Sequence, residues 1–111
     1  MRMNKVVNLS LYKKDEERIF TNRDNGIRAR KELKLEELEK EDGCIEVLLP
    51  NELWSINPSF FGGMFERSIK EFKDAFWEKY VFLFVNRDEL TDELRDNIEY
   101  DFDYVLNHME N

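Results

Sequence analysis

Two short apolar runs, residues 44–49 and 80–85, are separated by thirty residues that hold two prolines, a glycine pair and apolar side chains at helical spacing. Runs this short and this uniformly apolar read as strands buried in a parallel sheet, and parallel neighbours need a long crossover, usually helical. The crossover opens on a turn, residues 54–65. Pro58 cannot continue a strand ladder and disfavours helical backbone at Asn57. Ser59 is the expected N-cap of the helix that follows. Gly62 and Gly63 sit in its first turns, where they let another group approach the backbone. A helix start beyond the end of a parallel strand is where open α/β sheets carry their sites. Asn57, Ser59, Phe60, Gly62 and Gly63 are therefore the candidate partner-binding residues.

The remaining elements extend this unit in both directions. Residues 6–12 alternate apolar and polar and predict a half-buried strand; Arg18, Ile19 and Phe20 predict a short return strand after a charged turn at 13–17. Gly26 marks the entry to a helix over 27–40, ended by Asp42-Gly43 with glycine as a left-handed cap. Phe61, Met64 or Phe65, Ser68 or Ile69, and Phe72 recur at helical spacing, and residues 74–79 predict a second short helix with Phe76 and Trp77 inward. The run at 80–85 is the most hydrophobic in the chain and reads as the central strand. Asp88 is the expected cap of a final helix whose buried stripe is Leu90, Leu94, Ile98, Phe102, Val105 and Met109. Alternation of strands and helices predicts an α/β fold over residues 1–111: one small domain, a mixed, mostly parallel sheet of about four strands, covered by helices with right-handed crossovers.

Charge narrows the function classes. The net charge is −8, and residues 88–111 hold nine acids against Arg95, which is the whole imbalance. Such a surface repels nucleic acid and anionic membranes, so neither is an expected partner. No apolar run is long enough to span a membrane. The single cysteine, Cys44, excludes a disulfide within the chain, which points to a reducing, cytoplasmic setting.

With the order of elements in view, residues 55–65 resemble the Ser-Phe helix start of the STAS-like family of unknown function found in bacteria. Residues 28–33 resemble that family's Arg-containing first helix, and residues 45–49 its first central strand; the likeness covers roughly residues 22–110. The resemblance implies a non-enzymatic regulatory module that binds another protein. In the more distant STAS domains, the anti-sigma-factor antagonists, a phosphorylatable serine at the same helix start switches binding of a kinase-like partner. The matching position here is Ser59, preceded by Asn57-Pro58 where those domains usually have an acid.

The residues themselves support little chemistry. No metal-ligand pair, no Ser/His/Asp arrangement and no phosphate-binding loop is evident, so no cofactor, metal or catalytic residue is expected. Ser59 reads as a helix cap or as a partner-facing or phosphorylated hydroxyl. Gly62 and Gly63 read as sites of close helix–strand packing, and Phe60 as core or, if outward, an anchor. Cys44 and His108 read as inert, and Arg23, Arg28 and Arg30 as solvated surface. The alternative function is that of an acidic inhibitor: Asp88, Asp92, Asp96, Glu99 and Asp103 along one flank of the last helix would mimic spaced phosphates and occupy a basic site.

Overall fold

The structure, a computed structural model, describes residues 5–13 and 18–108. Its strands are β1 (Lys5–Asn8), β2 (Ile19–Phe20), β3 (Ile45–Leu49), β4 (Ser55–Ile56) and β5 (Tyr80–Phe84). Its helices are α1 (Arg23–Glu32), α2 (Leu35–Glu39), α3 (Pro58–Phe72), α4 (Phe76–Lys79) and α5 (Asp92–His108), with 3-10 turns at Leu9–Tyr12 and Lys73–Ala75. The α/β class holds. Instead of one sheet of about four strands there are two sheets: a three-stranded one in the order β1-β3-β5, and a two-stranded ribbon of β2 and β4. Every pairing is parallel.

The central strand is β3, not β5. Ile45, Val47 and Leu49 are fully buried on its inner face, and Leu48 is buried on the other. β5 is an edge, and Val81 is 38% exposed there. Its continuous apolar run does not distinguish edge from centre, because Tyr80, Phe82 and Phe84 are consumed by packing against helices on one face only. Phe82 lies 5.6 Å from the Phe65 ring and 6.4 Å from the Phe61 ring, both on α3, and Tyr80 lies 5.1 Å from Phe65. Each fully buried phenylalanine contributes roughly 1.5–3 kcal/mol.

Other boundaries moved for local reasons. The first strand stops at Asn8 because its side-chain oxygen accepts from the Ser10 N–H at 2.9 Å and turns the chain into a 3-10 turn, leaving Leu11 exposed. The short strand at 19–20 does not return on β1; it pairs with Ser55–Ile56. The helix expected over 27–40 is two helices, broken at Lys34, which has a left-handed φ of 59°. Thr91, not Asp88, caps α5, its hydroxyl accepting from the Leu94 N–H at 3.2 Å. Met109 and most of the charged turn lie outside the described residues.

Gly26 lies inside α1 and is not its entry. A Cβ on Gly26 would overlap the Phe60 carbonyl and stand 2.9 Å from the Met64 nitrogen, while one on Gly63 would overlap the Arg23 carbonyl. The two helices thus meet backbone to backbone, each supplying a glycine where the other supplies a carbonyl. Beside this crossing, the buried Arg30 guanidinium donates to the Met64 carbonyl at 2.9 Å and to Ser68 Oγ at 2.7 Å, and stands 3.6 Å from Glu39. The Ser68 and Tyr80 hydroxyls both donate to the same Glu39 oxygen. Burial, and then this carboxylate, push the Tyr80 phenol up from its ordinary range. The network joins α1, α2, α3 and β5.

Glycine-to-alanine changes in α3 separate packing from propensity. Gly63→Ala gains up to about 1 kcal/mol of helix propensity but must push two helix backbones apart, so a net loss of roughly 1–3 kcal/mol is expected. Gly62→Ala meets only the end of the Arg23 side chain at 3.3 Å and a Val105 methyl at 3.5 Å, and should be neutral or stabilising. Urea denaturation of the two variants checks the contrast; equal effects would contradict the backbone contact.

Candidate functional site

The start of α3 is built by Asn57 and Pro58. Asn57 has extended backbone, and its side-chain oxygen accepts from the Ser59 N–H at 2.8 Å; Pro58 fills the first helical position. Asn57 is therefore the cap, and Ser59 sits inside the first turn with its hydroxyl exposed and not needed for capping. The signal for this was present in Asn-Pro, since proline favours the first position and asparagine the cap before it.

Of the five candidate residues, the structure brings three to one groove. Asn57, Ser59 and Gly62 line a groove of about 490 Å³ with Arg23, Glu66 and His108. Phe60 is not an outward anchor: it is 2% exposed and stacks on Phe20 at 4.9 Å. Gly63 meets the Arg23 carbonyl at the α1 contact and lines a neighbouring groove instead. Arg23 pairs with Glu66 at 2.8 Å across the groove. The His108 ring stacks on Tyr104 at 4.1 Å, and its Nδ1–H donates to the Tyr104 carbonyl at 2.7 Å. A second groove of about 480 Å³ adjoins the first, sharing Arg23, Gly62 and Glu66, and mixes Lys31, Lys34 and Arg67 with Glu36 and Glu37. Arg67 donates to Glu36 at 2.8 Å and holds that carboxyl below its usual range. Of the three arginines read as surface, Arg30 is the exception; Arg28 lies over the Tyr12 ring at 5.8 Å. Burial and the Glu32 carboxylate, which accepts from its hydroxyl at 2.8 Å, push Tyr12 up to about 12.

Three residues escaped the sequence reading. Trp54 is 69% exposed on the loop before β4, with the Arg18 guanidinium 5.3 Å from its ring centre. Asn97 on α5 accepts from the Ile56 N–H at 2.7 Å and donates to the Ile56 carbonyl at 3.1 Å, in the manner of a neighbouring strand. Asp101, counted among the outer acids, is fully buried. Asn97 donates to one of its oxygens at 3.3 Å, and the other has no partner among the described residues. Its place in the 94–98–101–105 stripe was the available signal. Burial pushes its carboxyl up to about 7, against the smaller opposing effect of the Asn97 bond.

Comparison with family models, with curated proteins and with solved structures finds no match to this chain. Among the described residues no helix is long and apolar enough to cross a membrane, and no three metal-capable side chains cluster.

The Asp101 carboxyl makes stability depend on pH with a definite sign. Its folded pKa of about 7 lies above the ordinary 3.8, so the folded state holds the proton more tightly. The contribution is full below about pH 4 and is lost as pH rises through 7. Asp101→Asn should therefore be more stable than the parent at pH 8, by up to about 4 kcal/mol, with the gap shrinking towards pH 5. Urea midpoints at the two pH values check it; a gap independent of pH would contradict a carboxyl that ionises in place.

Proposed function

We propose that this chain is a non-enzymatic, protein-binding regulatory module of STAS-like character, and that its partner docks at the start of α3. The observation that carries the reading is the exposed Ser59 hydroxyl, free of capping duty, in a groove with the Arg23 guanidinium. Ser59 stands on a rigid scaffold, since Asn57 caps the helix and Phe60 anchors the next position in the core. A phosphate on Ser59 would meet the positive end of α3 and compete with Glu66 for Arg23. That is the chemistry a kinase-like partner would exploit. A cytoplasmic location accompanies the proposal.

The test places a photo-crosslinking amino acid at position 59, and at the exposed Leu11 as control, in extract of the source cell. A discrete protein adduct from position 59 alone is the expected result. Ser59→Asp keeps the Asn57 cap and adds a charge that the helix start favours, so stability should hold. Affinity for the captured protein should fall by about 1 kcal/mol, roughly fivefold. Adducts of equal pattern from both positions, or unchanged affinity, would remove Ser59 from the interface.

The acidic-inhibitor reading has one observation in its favour. Asp92, Asp96, Glu99 and Asp103 are exposed along one flank of α5, spaced three or four residues apart. Asp88 is in the preceding turn, off that flank. Solvated charge is the ordinary fate of such a face, so replacing Asp92, Asp96 and Asp103 by Asn should leave binding of the captured partner nearly intact. A loss of about a hundredfold with steep salt dependence would instead identify a phosphate mimic; titration at two salt concentrations distinguishes them.

A further inference from the structure

Among the described residues the outer edge of β5 is open, and its backbone bonding can be followed group by group. The Val85 N–H donates to the Leu49 carbonyl at 2.9 Å. Alternation along the strand then turns Val81, Leu83 and Val85 towards β3, and turns Tyr80, Phe82 and Phe84 towards the free edge. At the far end that edge is closed: the Phe84 N–H donates to the Asp88 carbonyl at 3.0 Å, and the Phe84 carbonyl accepts from Arg87 at 2.8 Å. At the near end the Tyr80 N–H is taken by the Phe76 carbonyl. What faces outward between these stops is the Tyr80 carbonyl and both the N–H and the carbonyl of Phe82. One residue of an antiparallel strand placed opposite Phe82 would exchange both bonds with it.

Beside this edge runs a groove of about 280 Å³ whose walls are Trp77, Val81, Leu90 and Ile98, with Glu89 and Glu99 at its rim. It is small for a cofactor and suits one or two side chains. Trp77 is 38% exposed yet braced, its ring 4.9 Å from Phe102 and 5.2 Å from Phe76. A further pocket continues past Trp77 to Glu99 and Asp103. Arg95, the one cation of the groove among the described residues, is already engaged, 3.6 Å from Asp92 and bonded to the Leu90 carbonyl. Edge, apolar slot and acidic rim lie side by side.

We propose that this edge binds an extended segment of a partner protein by strand addition opposite Phe82, the segment carrying an apolar side chain for the Trp77–Ile98 slot and flanking lysine or arginine for Glu89 and Glu99. A second copy of the chain is the wrong occupant, because it would bring a net charge of −8 and its own acidic rim against this one. Backbone bonds supply affinity in this mode and the alternate side chains supply choice of partner. The proposal goes beyond docking at Ser59 and does not rest on it, because the two surfaces share no residue.

The probe is an acetylated and amidated octapeptide of alternating valine and lysine, titrated into the full chain and followed by amide NMR. Saturable binding below about 1 mM and slowed solvent exchange of the Phe82 amide are expected. Two versions of the peptide, N-methylated at the valines or at the lysines, keep their charge but lose the donors of one edge each, and the one that loses the edge facing Phe82 should bind about tenfold weaker or worse. Glu89→Lys with Glu99→Lys should weaken the lysine peptide to a similar degree and admit a valine–glutamate peptide. Ser59→Asp should change none of this. No binding, undiminished binding of both N-methylated peptides, or indifference to the charge reversal would each overturn the proposal. So would a concentration-dependent dimer that protects Phe82 without peptide, since a second copy would then be the occupant.

Discussion

The contact between α1 and α3 is made by backbone against backbone, with Gly26 and Gly63 each leaving room for a carbonyl of the other helix. Much else follows from that distance. Only at such close range does the Arg30 guanidinium reach the Met64 carbonyl and Ser68 while it stays buried. Ser68 and Tyr80 then converge on Glu39, which fixes α2 over the end of β5. The same proximity brings Arg23 beside Gly62 and Glu66, so the groove next to Ser59 owes its cationic wall to a packing glycine. A buried charge costs stability unless it is paired; the crossing brings partners to the terminal nitrogens of Arg30, while its Nε has none among the described residues.

Where sequence pattern and local chemistry agreed, the fold was legible. The runs at 45–49 and 80–84 are strands, and the stripe at Leu94, Ile98, Phe102 and Val105 is the buried face of α5. Position within the sheet was not legible, because an edge strand with one face against Phe61 and Phe65 needs as many aromatics as a central one. Capping was misassigned by two residues, since serine and asparagine compete for that role and only Pro58 decides between them. Gly63 packs against α1 and not against a strand, and Gly62 meets only side-chain ends; Gly26 looked like a boundary because its contacts, Phe60 and Met64, lie far off in the sequence.

The same division runs through the site. An exposed Ser59 was foreseeable from a polar turn, whereas the burial of Phe60 was decided by its stack on Phe20, a long-range contact. Counting acids along α5 treated Asp101 as one more solvated charge; the helical phase of its neighbours places it inside, bonded to Asn97. Asn97 itself is bound to Ile56, so this polar pair holds α5 to the two-stranded ribbon. Nothing within a few residues of position 97 could have announced that role.

The all-parallel pairing has a kinetic consequence. Lys5 meets Ile45, Ile45 meets Tyr80, and Ile19 meets Ser55. Each register closes a loop of roughly 35–40 residues, and among the described residues no two strands adjacent in sequence form a hairpin. Loop entropy must be met before any ladder bond forms, so the strands cannot nucleate folding by themselves. Order has to begin in the helices, which form within microseconds, and the sheet assembles late, on a surface the helices have already laid down. On the ribosome each strand emerges well before its partner: β1 precedes β3 by about 40 residues and β3 precedes β5 by about 35, so the sheet is completed only when its last and most apolar strand, Tyr80–Phe84, arrives.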